Sequence, residues 1–117
     1  MTKANISLKA RAATPQTSII DIQGEINAYA ENALMDAYTT ATSQGATSIL
    51  LNFTDLEYMN SSGIGLLVTL LIRAQRQKFR LAAFGLSDHY RQIFELTRLN
   101  EAILIYTDES SAVSAGG

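Results

Sequence analysis

The chain contains no cysteine and no tryptophan, with one proline and one histidine among 117 residues. Without cysteine there is no disulfide framework, no thiolate zinc site, no iron–sulfur cluster and no cysteine nucleophile. A single histidine, His89, removes the raw material for a His-rich metal site and for most His-based catalytic arrangements. One proline and seven glycines exclude collagen-like and low-complexity sequence. The longest apolar stretch, Ile64 to Ile72, is too short to span a bilayer and is interrupted by Gly65 and Thr69. Behind Lys3 the N-terminus has no hydrophobic signal core. These shortages predict a cytoplasmic protein with no membrane span, no metal, no cofactor and no catalytic role. Charge is nearly balanced, with 9 basic and 11 acidic residues and a net charge of -2. That argues against direct nucleic-acid binding. What remains is a 47% hydrophobic chain, enough for one domain with a sizeable core.

The apolar pattern changes period along the chain. Ile6 and Leu8 alternate with polar residues, a half-buried strand; Arg11 to Gln16, with Pro15, reads as a turn; Ile19, Ile20 and Ile22 form a second strand ended by Gly24. From Ala28 to Gln44 the stripe Ala30, Leu34, Ala37, Tyr38 and Ala41 is helical, with Asn27 suited to cap its start and Gly45 to stop it. Ser48 to Phe53 is a nearly continuous apolar run, typical of a parallel strand covered on both faces. Thr54 to Asn60 reads as a connection, and Ser61-Ser62-Gly63 opens a second helix to about Gln77 with a stripe of Ile64, Leu67, Val68 and Leu71. Arg80 to Gly85 is a strand. Ser87 caps a third helix carrying Tyr90, Ile93, Phe94 and Thr97, Ile103 to Tyr106 is the last strand, and Asp108 to Val113 is a short helical tail. This ββαβαβαβ order predicts an α/β fold with a mixed, mainly parallel sheet and right-handed crossovers. One domain spanning residues 1–117 accounts for the chain.

Met59-Asn60-Ser61-Ser62-Gly63-Ile64-Gly65 carries a mechanism. It places two serines in a first helical turn, where unpaired N–H groups favour an anion. A phosphoserine fits there electrostatically. Gly63 and Gly65 leave little bulk against an approaching partner. Serines at helix starts are also ordinary caps, worth about 1 kcal/mol, and the local chemistry leaves both readings open. A third reading, nucleotide binding at Gly63-Ile64-Gly65, lacks the third glycine of a dinucleotide fingerprint, since Val68 stands there.

Three segments in register resemble the STAS domain of bacterial anti-sigma-factor antagonists, over about residues 5–113. Gly24-Glu25-Ile26-Asn27 is similar to that family's Gly-Glu-(apolar)-Asp, and Met59 to Gly65 to its Met-Asp-Ser-Ser-Gly-(apolar)-Gly phosphorylation segment. Phe84-Gly85-Leu86-Ser87 with Ile93-Phe94-Glu95-Leu96-Thr97 is similar to its fourth-strand and third-helix region. The resemblance implies a binding module of the STAS fold with Ser62 as phosphoacceptor. Its unphosphorylated form would bind a serine kinase that doubles as an anti-sigma factor, phosphorylation would weaken that complex, and a PP2C-type phosphatase would restore binding. Asn27, Met59, Asn60, Ser61, Ser62, Gly63, Gly65 and Leu66 are the implied partner-binding residues. Asn60 and Asn27 depart from the family pattern by replacing acids, and Arg98 by replacing the glycine after the third helix. The alternatives are a non-switching STAS scaffold or transport accessory subunit, and a small-molecule or nucleotide-binding domain.

Other features have local readings. Residues 71–100 hold six basic residues (Arg73, Arg76, Lys78, Arg80, Arg91, Arg98) against Asp88 and Glu95, which reads as a solvated face. Leu66 and Leu70 lie off the narrow stripe of the second helix; they, or Met59, either cover sheet or touch a partner. The five tyrosines read as half-buried packing residues, and His89 as a surface residue.

Overall fold

The computed structural model describes residues 5–116. Its elements are β1 (Ile6–Thr14), β2 (Thr17–Ile26), a 3₁₀ turn (Ala28–Ala30), α1 (Glu31–Ser43), β3 (Ser48–Met59), α2 (Ser61–Arg76), β4 (Arg80–Phe84), α3 (Asp88–Leu96), a second 3₁₀ turn (Leu99–Glu101), β5 (Leu104–Tyr106) and α4 (Glu109–Gly116). The five strands form one sheet in chain order, with β1 antiparallel to β2 and all later pairs parallel.

Strand alternation divides the sheet into two unlike faces. Ile20, Ile22 and Ile26 of β2, Ile49, Leu51 and Phe53 of β3, and Leu81 and Ala83 of β4 point to one side. There they meet Leu34 and Tyr38 of α1, Leu67 and Leu70 of α2, and Tyr90 and Phe94 of α3 in the main core. Three crossovers of one hand put those three helices on that face. The opposite face carries a small apolar cluster, Ile19, Leu50, Ala82 and Phe84, covered by Ala112 of α4.

Several boundaries differ from the sequence reading. The Arg11–Gln16 turn shrinks to Pro15 and Gln16, because β1 stays paired with β2 up to Thr14↔Thr17, with a register shift between Ala12 and Thr14. The Thr54–Asn60 connection is strand as far as Met59. There β2 supplies backbone partners as far as Ile26↔Met59, with two register shifts on the way, although β4 has already ended. Polar Asp55 and Glu57 lower the intrinsic strand signal, and pairing overrides it. The first helix begins as the 3₁₀ turn and becomes α-helical at Glu31. In α2, Leu70 belongs to the buried stripe and Val68, 37% accessible, does not. Thr97 is exposed beyond the end of α3, and the last helix starts at Glu109 with the Asp108 carboxylate accepting from the Ser111 N–H at 2.8 Å.

Arg98 stands where the resemblance called for glycine, and it adopts the glycine conformation itself, with φ 62° and ψ 18°. An L-residue pays about 1 kcal/mol for that left-handed geometry. Among the basic residues of the 71–100 segment, Arg98 pairs with Glu101 at 3.8 Å, and Arg73 and Arg80 also have structural partners. The Arg73 guanidinium lies 5.1 Å from the Tyr38 ring centre, and Arg80 donates to the Ser48 hydroxyl at 2.8 Å and to the Tyr106 hydroxyl at 3.1 Å.

Candidate functional site

β2 and β3 run parallel and end side by side at Ile26 and Met59, so the turns leading into α1 and α2 emerge together at the carboxyl edge of the sheet. The Asn60 N–H donates to the Ile26 carbonyl at 3.3 Å, which fixes the second turn against the first. Two asparagines then do equivalent work. The Asn27 Oδ1 accepts from the Tyr29 N–H at 2.9 Å, and the Asn60 Oδ1 accepts from the Gly63 N–H at 2.9 Å. Both have extended backbones, as N-caps require.

The cap of α2 is therefore Asn60 and not a serine. Ser61 and Ser62 are the first two helical residues, and both are exposed. The capping-serine reading gives way because a better-placed side chain one residue earlier takes the orphan N–H. Asn and Asp cap almost equally well, so replacing the family's acids costs these turns a charge and no hydrogen bond.

Gly63 has a different use from the one its small size suggested. It is buried, and a Cβ there would collide with the Ile26 carbonyl and crowd the Met59 side chain. Its bareness lets the first turn of α2 sit on the end of β2. Gly65 meets nothing within 4 Å and leaves an open patch beside Ser62. Met59 is buried as well, 4% accessible, and its N–H donates to the Tyr90 hydroxyl at 2.8 Å, which ties the site to α3. The Met59 side chain and the bare backbone of Gly63 thus shape the site from below. Asn27, Asn60 and Leu66 are half-buried, and Leu70 is wholly buried.

Four of the five tyrosines depart from the half-buried expectation, two outwards and two inwards, and Tyr106 keeps to it. Tyr29 is 56% accessible and Tyr58 is 52% accessible, and they follow Asn27 and precede Met59 respectively. They place aromatic surface at the rim of the site, whereas Tyr38 and Tyr90 are core residues. A local signal for Tyr58 is its place beside Met59, since neighbouring strand residues point to opposite faces; the two register shifts between Asn52 and Tyr58 break any longer alternation from Phe53. No comparable signal existed for Tyr29. His89 is exposed and stacks edge-on with Tyr90, ring centres 4.9 Å apart.

The first turn of α2 contains no acidic side chain, so its free N–H groups keep their positive end. Glu25 and Glu57 lie on the adjoining strand ends. Among the described residues no group of three or more histidine, aspartate or glutamate side chains is placed to hold a metal ion. Among the described residues no helix is long and apolar enough to cross a membrane. The arrangement offers an accessible hydroxyl at a helix start, rimmed by aromatic and amide groups. With Gly63 turned inward against Ile26, no glycine loop is left to cradle a dinucleotide.

The profile of the STAS domain family matches residues 9–112, and the chain belongs to that family. It is 29% identical over 101 residues to the anti-sigma-B factor antagonist of Listeria monocytogenes, covering 86% of this chain and 89% of that one. The phosphorylated form of the Bacillus cell fate determinant SpoIIAA superposes with a TM-score of 0.72 at 26% identity, covering 95% of this chain and all of that one. An anti-sigma factor antagonist from Mycobacterium paratuberculosis gives a TM-score of 0.78 over 97% of both chains at 17% identity, a likeness of fold alone. The fold is the STAS fold read from the sequence.

Proposed function

We propose that this protein is an anti-sigma-factor antagonist switched by phosphorylation at Ser62. Unphosphorylated, it binds a serine kinase that is also an anti-sigma factor; the kinase phosphorylates Ser62 and the complex weakens; a PP2C-type phosphatase restores the binding form. It works by binding and not by catalysis, as one domain. The observation that carries this reading is the division of labour at the start of α2. Asn60 holds the cap, leaving Ser62 exposed with no structural duty as the cap.

A phosphate on Ser62 would sit where the helix N-terminus tolerates negative charge, so the antagonist's own fold survives modification. The same group adds about -1.5 to -2 charge to a surface that already carries Glu25 and Glu57. A partner surface complementary to the neutral hydroxyl then meets repulsion and an uncompensated desolvation cost. Asn27, Asn60, Ser61, Gly65 and Leu66, joined by Tyr29 and Tyr58, form the contact surface, with Met59 and Gly63 supporting it.

Phosphopeptide mass spectrometry on protein from its native cells, with and without phosphatase treatment, tests the modification. Binding of Ser62→Ala and Ser62→Asp to the kinase so identified tests the switch: Ala stays bound after ATP is added, and Asp binds weakly from the start. Ser62 unmodified across growth and stress conditions, or equal binding by both variants, returns the protein to the non-switching scaffold or transport-accessory reading.

A further inference from the structure

The sheet face away from α1, α2 and α3 is apolar in its middle row and, on β4, one row beyond it at Phe84. Register places Ile19, Leu50, Ala82 and Leu104 in one row across β2 to β5. The next row towards the carboxyl edge runs Asp21, Asn52, Phe84 and Tyr106, polar on β2 and β3 and aromatic on β4 and β5, and the row on the other side contains Thr17, Ser48 and Arg80. α4 lies over the apolar row, and it is short, eight residues, with Ala112 buried and Val113 half-buried against it. Beneath that slight contact Ile19, Leu50 and Ala82 are fully inaccessible and Phe84 is 3% accessible, whereas Leu104, in the same row, is 49% accessible.

One polar device pins α4 to the sheet. The Arg11 side chain on β1 donates to both oxygens of Asp21, from Nε at 2.7 Å and Nη2 at 3.2 Å. It also donates to both oxygens of Glu109 at the first position of α4, from Nη2 at 2.6 Å and Nη1 at 3.2 Å. Asn52 Nδ2 donates to Asp21 at 2.8 Å, holding that carboxylate in place from β3. Nearly all the burial that fixes the rest of the fold lies on the other face, so α4 is attached by one small side chain, half of a valine and one partly exposed ion pair.

We propose that α4 is a strap that opens as a unit without unfolding the sheet, with the Arg11–Glu109 pair as its clasp, uncovering the apolar strip Ile19–Leu50–Ala82–Phe84. The strip then joins the already exposed Leu104. The Ser62 site, at the carboxyl edge of the strands, keeps its geometry in both states. Local opening of this kind belongs to elements held by few buried apolar contacts.

Acid is a second route to the open state. The Arg11 hydrogen bonds hold Glu109 below the usual carboxylate range. Burial pushes Asp21 upwards, but hydrogen bonds from Arg11 and Asn52 outweigh it and leave Asp21 lowered. A lowered folded value means the clasp is complete above the ordinary carboxylate range and is lost as pH falls through the lowered values. The other charged groups facing α4 are Lys9 on β1, Arg80 on β4, which is occupied by Ser48 and Tyr106, and Asp108, which caps α4 itself.

Hydrogen exchange read by mass spectrometry on the full chain tests the strap. The α4 amides should exchange at least about 100-fold faster than those of β2 and β3, as terminal units do relative to a core. Glu109→Gln should speed α4 exchange by roughly two- to fivefold, the scale of a partly exposed ion pair, and leave β3 unchanged. Ala112→Asp should abolish α4 protection and raise the fluorescence of an apolar dye, with β2 and β3 still protected. Equal protection of α4 and the sheet in the unmodified chain, or loss of all protection together in Ala112→Asp, would overturn the strap. An unchanged α4 rate in Glu109→Gln would overturn the clasp.

Discussion

The two faces of the sheet are built on opposite economies. One buries isoleucine, leucine and phenylalanine from all the central strands under three helices; the other hides Ile19, Leu50, Ala82 and Phe84 under a single short helix whose buried anchor is an alanine. Stability scales with apolar surface removed from water, so the first face holds the fold and the second is an adjustable cover. The candidate site sits between them, at the edge where strands end, supported from the stable side by Met59, Gly63 and Tyr90. A site placed there can change charge or partner without drawing on either face.

The sharpest way to break this contrast is to cut the same kind of side chain on each side. Leu67→Ala, in the fully buried row of α2, should cost about 3 kcal/mol of unfolding free energy in a urea titration. Val113→Ala on α4 should cost less than about 1 kcal/mol, since that side chain is only half-buried. Equal costs would erase the distinction between the faces. Next in size, Gly63→Ala forces a Cβ into the Ile26 carbonyl and should destabilise by about 2 kcal/mol, the range for overpacking a tight contact. The matching change at Gly65, a helical position where a Cβ meets nothing, should instead stabilise by about 0.5–1 kcal/mol, the helix-propensity gain of Ala over Gly. Smallest is a second gain: Arg98→Gly relieves a left-handed backbone and should stabilise by about 0.5 kcal/mol after the added flexibility of the unfolded chain is counted. The midpoint of thermal unfolding reads this gain, and a fall in midpoint would show that Arg98 contributes more through its side chain than its backbone costs.

Element order was legible because each element carries its own period. The Ala30–Leu34–Ala37–Tyr38–Ala41 stripe and the Ser48–Phe53 run hold whatever they are packed against. Legibility failed where partners decide. Thr54 to Met59 carries acids that argue against a strand, and only the neighbouring β2 backbone makes it one. Val68 and Leu70 are both apolar on one helix, and the angle at which α2 meets the sheet exposes the first and buries the second. At the candidate site, pattern singled out the serine pair but left open whether it caps the helix, because three consecutive residues, Asn60, Ser61 and Ser62, can all cap. Backbone geometry chose among them.

By itself, then, the sequence determined which stretches are helix or strand, the handed alternation that makes the sheet mainly parallel, and the serine-bearing helix start, because these depend on local spacing and on chain chirality. Tertiary structure alone decided that Gly63 faces inward while Ser62 faces out, that Tyr29 and Tyr58 form a rim, and that Arg11 reaches both Asp21 and Glu109. Those facts depend on where distant segments end relative to one another, which no local spacing encodes. They follow from burying the largest apolar surface first and leaving the polar groups to find partners at the edges of what remains.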